Sequence, residues 1–127
     1  MANFINSELD LKIESSPFPP FGESDTIAYK ERRDRKLFQV YIYLSGRSLG
    51  RVRKISYVLH SSFKNNIITV ERTRKNPKAS LSIWTWGLFE LKAIVETIDG
   101  ETIHLTHYLD YDEQVRAFPK RLRKVTS

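Results

Sequence analysis

Hydrophobic and polar residues alternate along several short segments of the chain. Residues 38–44 place Phe, Val, Ile and Leu at every second position, and residues 89–95 do the same with Phe, Leu, Ala and Val. A period of two is typical of a β-strand with one buried face. Residues 52–59, 67–73 and 102–109 are further candidate strands, so the pattern predicts at least five of them.

Turn residues separate these segments. Gly46 and Gly50 follow the first candidate strand, and an Asn-Asn pair follows the second. Asp99-Gly100 predicts a β-hairpin with a type I′ turn, which needs positive φ at both central residues. Residues 81–84 are too short to assign, and no segment shows sustained helical periodicity or an internal repeat. Short strands separated by turns predict an antiparallel β-sandwich or barrel.

The two ends of the chain differ from its middle. Residues 1–34 lack sustained periodicity and include the proline-rich segment 17–22, which predicts an extended N-terminal arm. Residues 35–112 carry the alternation and are predicted to form one domain, as the length of 127 residues allows. Residues 113–127 are rich in lysine and arginine and are predicted to form a basic, mobile C-terminal tail.

Composition limits the chemistry and the location of the protein. The chain has no cysteine, which excludes disulfides, thiolate zinc sites and a cysteine nucleophile. The most apolar segment, residues 81–95, is interrupted by polar and charged residues, so no segment is expected to span a bilayer. The first residues include acids where a signal peptide needs a basic region. We therefore expect a cytoplasmic protein.

Charge is distributed unevenly. Residues 1–34 hold 4 Lys and Arg against 7 Asp and Glu, whereas the remaining residues hold 17 against 8. Residues 47–78 contain nine basic residues and a single acid. Such a surface favours an acidic partner or a polyanion. Nucleic-acid binding through phosphate contacts, without base recognition, is therefore the alternative function, because no helix is predicted that could enter a major groove.

Two motifs with catalytic or metal-binding associations have simpler interpretations. Residues 46–50 match Gly-x-Ser-x-Gly, but a hydrolase nucleophile needs a strand, a sharp turn and a helix, and here another strand follows. A glycine-flanked hairpin turn is the simpler interpretation. His104 and His107 lie three residues apart on one candidate strand and therefore point to opposite faces, which makes a shared metal ion difficult.

Two segments could form a polar pocket with aromatic walls. Residues 55–63 (ISYVLHSSF) end with groups that donate and accept hydrogen bonds, and residues 84–89 (WTWGLF) supply two indoles and a glycine. The simpler interpretation places Phe63 and Trp86 in the core, with His60 and Ser62 bonded to backbone groups of a turn. From the residues alone, both interpretations remain open.

The same segments carry a family resemblance. Residues 59–63 (LHSSF) and 85–89 (TWGLF) resemble the LHxSF and GWGxF signatures of YEATS domains, and the resemblance extends over residues 38–110. YEATS domains are immunoglobulin-like antiparallel β-sandwiches, so the resemblance implies this all-β fold. Eukaryotic members read acylated lysine, whereas the family pattern does not settle the ligand of bacterial relatives.

The resemblance also implies a set of site residues. Phe63 and Trp86 match the aromatic positions that sandwich a flat acyl amide, and Ser62 matches the serine that hydrogen-bonds this amide. Thr85 stands where the family pattern has glycine, which narrows the approach of the backbone to a ligand. The implied ligand-binding residues are His60, Ser62, Phe63, Thr85, Trp86 and Gly87.

The expected function is that of a non-catalytic binding module. Its partner would be a protein or peptide that carries an acylated lysine or a similar planar amide. No convincing set of nucleophile, base and orienting group is present in the sequence, so we expect no catalytic residue and no enzyme activity. We also expect no cofactor and no bound metal.

Overall fold

Strands dominate the computed structural model, which describes residues 9–20 and 25–125. Within those residues the strands are β1 (Lys12–Ser16), β2 (Ile27–Arg32), β3 (Arg35–Ser45), β4 (Val52–Val58), β5 (Ile67–Glu71), β6 (Leu81–Thr85), β7 (Phe89–Thr97), β8 (Thr102–Leu109) and β9 (Leu122–Lys124). One α-helix, α1 (Asp112–Ala117), and two short 3-10 turns, Leu49–Arg51 and Pro119–Arg121, complete the described secondary structure.

The first sheet is built around the long strand β3. On one edge of β3, β6 pairs antiparallel with residues 38–42. On the other edge, β2 pairs with residues 35–38 and β1 with residues 41–45, both antiparallel. β9 then adds to β2 in parallel. One strand therefore sets the positions of three others.

The second sheet is antiparallel throughout, in the order β5-β4-β7-β8. β7 and β8 pair along eight successive positions, from Phe89 opposite Leu109 to Glu96 opposite Thr102. The pairing of β4 with β7 shifts register between Val52 and Lys54. Such a bulge bends a strand at its entry into a sheet.

The core lies between the two sheets, and the alternation of the sequence determines which side chains enter it. Val40, Ile42 and Leu44 of β3 are fully buried, as are Ile55 and Tyr57 of β4. Burial of each such aliphatic side chain contributes about 1.5–3 kcal/mol. The Tyr57 hydroxyl donates to the Ala79 carbonyl at 2.7 Å, so its burial leaves no polar group unpaired. This burial raises the pKa of Tyr57 above its ordinary value.

The all-β sandwich that the alternation predicted is confirmed. The three segments with alternation form β3, β4 and β7, and β4 ends at Val58, one residue before the end of its predicted segment. The segment 81–84, which was too short to assign, forms β6 against β3. β3 supplies the hydrogen bonds that make this short strand stable. The sequence of the segment itself carries no information about this pairing.

The chain ends differ from the expected arm and tail. β1 and β2 lie inside the segment that was expected to be an arm, and they occupy one edge of β3. Residues expected to form a mobile tail form most of α1 and all of β9, and β9 pairs with β2. The unpaired edge of a strand leaves backbone N–H and C=O groups without hydrogen-bond partners. A segment with little alternation of its own can form a strand at such an edge, because it supplies these partners. No helix in these described residues is long and apolar enough to cross a membrane.

The hairpin turns are also distributed differently from the prediction. The β7–β8 hairpin forms at Asp99-Gly100, but only Gly100 has positive φ, and its N–H donates to the Thr97 carbonyl. This geometry is a three-residue loop with a bulge at glycine rather than a type I′ turn. Positive φ at two successive central residues occurs instead between β2 and β3, at Arg33 (49°) and Asp34 (66°).

The segment 46–50 is a link between the sheets and not a hairpin turn, because β3 and β4 belong to different sheets. Gly46 has a φ of 128°, and a Cβ atom placed there would overlap the backbone carbonyl oxygen of Asp10. Asp10 holds the link further, since its carbonyl accepts from the Ser48 N–H and its carboxylate accepts from the Arg47 N–H. The Arg47 N–H and the Arg47 Nε, which donates to the same carboxylate, hold the pKa of Asp10 below its usual value.

Gly46→Ala is expected to destabilise the fold by at least about 2 kcal/mol, because alanine disfavours this φ and its methyl group meets backbone that cannot move aside. The matched control is Gly50→Ala, since Gly50 has no atom within 4 Å of an added Cβ and no positive φ. Chemical denaturation of both variants measures the difference. Equal losses of stability would contradict the role assigned to Gly46.

A hydrogen bond joins one edge strand of each sheet. The Ser15 hydroxyl of β1 lies 2.8 Å from Nε2 of His107 on β8. Burial lowers the pKa of His107 below its usual value, and the nearby Glu14 carboxylate opposes this shift. The folded state therefore favours the neutral imidazole. Between the folded-state and the unfolded-state pKa of His107, the unfolded chain binds more protons than the folded protein does. The contribution of His107 to stability is therefore complete above the unfolded-state pKa and is lost as the pH falls below that pKa.

We expect His107→Gln to lose less stability than the wild type when the pH is lowered from about 8 to about 5.5, across the unfolded histidine pKa of about 6.5. Glutamine removes the titrating group and keeps a side chain that can bond to Ser15. His104→Gln, at an exposed position of the same strand, is the control. Urea denaturation at both pH values provides the measurement, and parallel losses in wild type and His107→Gln would refute the assignment.

Candidate functional site

A cavity of about 930 Å³ lies where the loop after β4 meets the turn between β6 and β7. Its volume is in the range of small-molecule pockets in proteins. All six site residues expected from the sequence border it, together with residues of the β2–β3 hairpin that were not expected. The lining residues are Arg32, Arg33, Arg35, Leu37, His60, Ser62, Phe63, Lys64, Trp84, Thr85, Trp86, Gly87, Leu88 and Phe89.

The loop after β4 begins where the strand leaves the core. Leu59 is still buried, and its N–H donates to the Asn66 carbonyl at 2.7 Å, which closes the loop. Within it, the Phe63 N–H donates to the His60 carbonyl at 3.0 Å. This tight turn exposes His60 and Ser62 and leaves Phe63 half-buried. The loop thus presents two polar groups and one aromatic ring to the cavity.

Hydrogen bonds hold Ser62 beside the ring of His60. The backbone N–H of Ser62 donates to Nδ1 of His60 at 3.1 Å. The Ser62 Oγ lies 2.8 Å from the same nitrogen. Because a hydroxyl oxygen has two lone pairs, Oγ keeps at least one of them to accept a hydrogen bond from another group, whichever of the two atoms donates to the other.

Phe89, at the start of β7, connects the two motifs. Its ring centroid lies 5.6 Å from that of Phe63 and 6.0 Å from that of His60. Aromatic rings at such distances attract one another beyond the burial of their surfaces. Phe89 was part of the expected TWGLF motif but was not predicted as a site residue, and here it supports the wall that Phe63 forms.

The turn between β6 and β7 is held from inside the domain. The Thr85 hydroxyl accepts from the Gly87 N–H at 3.3 Å and donates to the Gly87 carbonyl at 3.1 Å, while Thr85 itself is buried. The Tyr111 hydroxyl lies 3.4 Å from the carbonyls of Thr85 and Gly87. Burial raises the pKa of Tyr111 to about 12. Threonine at this position thus stabilises the turn, a role that glycine could not perform.

Trp86 projects outward from this turn and is 58% exposed. Along β6, Ile83 and Thr85 are buried, so the alternate position 86 faces away from the core. The guanidinium carbon of Arg35 lies 4.2 Å from the centroid of the Trp86 ring system, a cation–π contact. Trp86 is therefore a surface aromatic group, and the alternative interpretation that places it in the core is wrong.

Four cationic side chains border the cavity, and none of its lining residues carries a carboxylate. Lys64 belongs to the loop after β4, whereas Arg32, Arg33 and Arg35 belong to the β2–β3 hairpin. The sequence did not reveal these arginines as site residues, because the hairpin reaches the cavity only through the pairing of β2, β3 and β6. Their high local density in residues 32–35 was the available signal.

The basic residues of segment 47–78 do not act as one free surface. Arg47 pairs with Asp10, Arg51 pairs with Asp99, and Glu96 lies within ion-pair distance of both Arg53 and Lys54. The Arg72 guanidinium donates to the carbonyls of Val52 and Gly50. Because much of this charge is neutralised or committed to structure, the arrangement provides no support for binding to a polyanion.

Comparison with known proteins identifies the relationship of the chain. The model of the prokaryotic YEATS domain family matches residues 38–110, more than half of the sequence. No curated protein gives a significant match.

Solved structures of the yeast AF-9 homolog Yaf9 share the fold. Its YEATS domain with a succinylated histone peptide has a TM-score of 0.53 at 14% identity, covering 84% of this chain and 72% of that chain. A crystal structure of Yaf9 has a TM-score of 0.54 at 14% identity, with coverage of 81% and 66%. The domain bound to an acetylated histone peptide has a TM-score of 0.50 at 14% identity, with coverage of 80% and 68%.

Tyr111→Phe is expected to loosen the β6–β7 turn while the fold remains, at a cost of about 1 kcal/mol, because it removes the hydroxyl that bonds the Thr85 and Gly87 carbonyls. Amide hydrogen exchange should accelerate at residues 86–88. Tyr57→Phe is the matched control, since it removes a buried hydroxyl that bonds Ala79 far from this turn in sequence. If exchange at residues 86–88 is unchanged in Tyr111→Phe, the hydroxyl does not hold the turn.

Proposed function

Since the chain belongs to the prokaryotic YEATS domain family, we propose that it is a non-catalytic binding module for a protein or peptide that carries an acylated lysine or a similar planar, neutral amide. The ligand group would enter the cavity between Phe63 and Trp86. The observation that carries this proposal is the joint presence, on one cavity, of aromatic rings and an oriented serine hydroxyl without any carboxylate.

The chemistry of the lining matches a neutral amide better than a free lysine. An ammonium group buried in a pocket needs a carboxylate or a cage of aromatic rings to replace its hydration. Here four cationic side chains would repel it. Acylation removes the charge of the lysine and leaves a flat amide, which can stack on aromatic rings. Selection of the modified over the unmodified side chain follows from this difference.

The polar groups would complete the recognition of the amide. Ser62, whose Oγ lies beside Nδ1 of His60, keeps a lone pair that could accept from the amide N–H of the ligand. The backbone N–H of Trp86 would donate to the acyl carbonyl, the role that the family pattern implies. Donor and acceptor on opposite sides of a planar slot define the orientation of an amide, and an unpaired buried amide group costs about 1–3 kcal/mol.

The contact between Ser62 and His60 does not make a hydrolase of this site. A serine nucleophile needs a base that is oriented by a third group and an adjacent oxyanion hole. Here Nδ1 of His60 already accepts the backbone N–H of Ser62, and the ring of His60 packs near Phe89. No carboxylate lies among the cavity's lining residues to orient the imidazole. We therefore assign the pair to ligand binding.

The structural neighbours are consistent with this class of partner. The Yaf9 YEATS domain is described in complex with a succinylated and with an acetylated histone peptide. At 14% identity these structures share a fold with the chain, so the ligand proposed here rests on the chain's own cavity.

We expect Trp86→Ala to abolish binding of an acylated peptide and Ser62→Ala to weaken it by about 1–3 kcal/mol, the cost of an unpaired amide group. Neither change should unfold the domain, because both side chains are exposed. Calorimetry with acetyl-lysine and crotonyl-lysine peptides, and with the unmodified peptide, measures the effects.

The matched controls are Tyr108→Ala and Ser61→Ala. Tyr108 is as exposed as Trp86, at 58%, but lies on β8 away from the cavity lining. Ser61 is the exposed neighbour of Ser62 and does not line the cavity. Both controls should bind like the wild type. Binding that does not distinguish acylated from unmodified peptide would refute the proposed function.

A further inference from the structure

One edge of β5 has no partner strand. β5 is the first strand in the order β5-β4-β7-β8, and among the described residues β4 is the only strand that pairs with it. The opposite end of this sheet is different, because there β1 lies against β8 and Ser15 hydrogen-bonds to His107. The sheet is therefore open on the β5 side, where another strand could add to it.

The hydrogen bonds between β4 and β5 show which backbone groups point outward. The Asn66 carbonyl accepts from the Leu59 N–H at 2.7 Å, and the Arg53 carbonyl accepts from the Arg72 N–H at 3.0 Å. In an antiparallel pair, residues that exchange hydrogen bonds alternate with residues whose backbone groups point away. The groups that point away from β4 therefore belong to the three residues that we call the β5 edge, Ile67, Thr69 and Glu71.

The β5 edge lacks the features that usually prevent pairing with another chain. Exposed edge strands commonly carry a proline, an inward-pointing charge or a bulge. β5 has the sequence IITVE and pairs with β4 in one continuous register over its whole length. Its isoleucines, threonine and valine are β-branched and favour an extended backbone. No backbone hydrogen bond from the described residues reaches the N–H or carbonyl groups of the β5 edge. The edge is thus ready to accept an extended chain.

The charges at the two ends of β5 make a second copy of this chain an unfavourable occupant. A twofold axis through Thr69 would pair two copies antiparallel and bring Lys64 of one copy near Arg74 of the other. Like charges that face each other across paired strands are destabilising. Lys64, Arg74 and Lys75 are exposed and form no ion pair with another described residue. The edge therefore favours a neutral or acidic chain from a different protein.

The β5 edge begins next to the candidate cavity. Phe63 and Lys64 line this cavity, and Ile67 follows Lys64 by three residues. Three residues of chain span at most about 11 Å. A strand paired with β5 would thus reach the cavity within a few residues of its own end. A lysine at that point of the same strand would direct its acylated side chain between Phe63 and Trp86.

We propose that the β5 edge binds the backbone of the acylated partner, which adds to the second sheet as an antiparallel strand while its acyl-lysine enters the cavity. This inference rests on the proposed function and assigns it a second contact surface. Every pairing in this sheet is antiparallel, and antiparallel pairs are slightly more stable than parallel ones. The partner strand therefore runs from Glu71 toward Ile67, so that the paired segment precedes the acyl-lysine in the partner's sequence.

Strand addition explains how a small site could hold a peptide firmly. Main-chain hydrogen bonds at a sheet edge supply affinity without recognition of a particular sequence, and pockets for single side chains supply specificity. Here the β5 edge takes the first role and the cavity takes the second. The partner is then defined by an acyl-lysine that follows an extended, neutral or acidic segment without proline.

The test compares three ligands that contain the same acetyl-lysine. The first is the single amino acid with both ends blocked. The second carries about eight neutral residues before the lysine, enough to cover β5 and the distance to the cavity, and the third carries the same residues after it. Calorimetry should show the second ligand binding about tenfold more tightly than the other two, because it alone forms the added backbone hydrogen bonds. This ligand should also slow amide hydrogen exchange at Ile67, Thr69 and Glu71.

Thr69→Pro removes the central outward N–H of the β5 edge. Proline is tolerated on edge strands where the N–H bonds to nothing in the domain. The tenfold gain of the second ligand should fall toward one in this variant, while the single amino acid binds as it does to the wild type. Unchanged binding of the single amino acid also verifies that the variant folds. If Thr69→Pro does not fold, Ile67→Pro replaces it, since Ile67 is the first residue of the strand.

The matched control is Thr69→Val. Valine keeps the N–H and the β-branched shape but loses the hydroxyl that lies 2.8 Å from the Ser56 hydroxyl, as the proline variant also does. Thr69→Val should therefore retain the full gain of the second ligand. Loss of the gain in this control would show that the side chain, and not the outward N–H, binds the peptide, and would overturn the proposal.

The remaining outcomes separate strand addition from the function on which it rests. Equal affinity for the second and third ligands, or a gain that survives in Thr69→Pro, would overturn strand addition and leave an acyl-lysine reader. Protection of the β5 edge that rises with protein concentration, in the absence of peptide, would identify a second copy as the occupant and also overturn the proposal. Absence of binding by all three ligands would refute the proposed function itself.

Discussion

The pairing of β3 on both of its edges is the constraint on which the rest of the structure depends. Its inward side chains are fully buried, so its backbone groups must find partners in neighbouring strands and not in water. β6 supplies them on one edge, and β1 and β2 supply them on the other. Through the same pairing, β3 brings Trp84 of β6, Trp86 of the following turn and the arginines of the β2–β3 hairpin to one cavity. The requirement that buries the core thus also assembles the candidate site.

Alternation of side chains identified the strands that have one buried and one exposed face. It failed for β1 and β2, where Ile27 and Ala28 are both buried and polar residues occupy much of the remaining length. These strands exist because the edge of β3 offers them hydrogen bonds, a tertiary effect that no local pattern contains. Turn type was equally inaccessible, since the residue pair at the β2–β3 turn is unusual for positive φ whereas Asp99-Gly100 is common there.

The candidate site shows a similar division between local and tertiary information. The motif residues were predictable as a group because each motif spans a strand end and the turn beside it, and turns at strand ends expose side chains. That Phe89 supports Phe63, and that Tyr111 reaches the Thr85 carbonyl, depends on packing between distant segments. The cationic residues that line the cavity were not predicted from the sequence for the same reason. The count of charges along the chain indicated residues 47–78 as the basic surface, but several of these residues are paired with acids. The same count did not identify the arginines of the β2–β3 hairpin.

At the turn formed by Arg33 and Asp34, a substitution that raises thermal stability would also change the charge on the surface of the domain. Asparagine and glycine adopt positive φ more readily than arginine and aspartate do. A hairpin selected only for stability would therefore have asparagine and glycine at these two positions. The same exchange removes one guanidinium from the mouth of the cavity. Stabilising substitutions commonly reduce function where a strained segment contacts a ligand. An attempt to make this domain more heat-resistant through its tightest turn would therefore alter its surface at the point where the cavity opens.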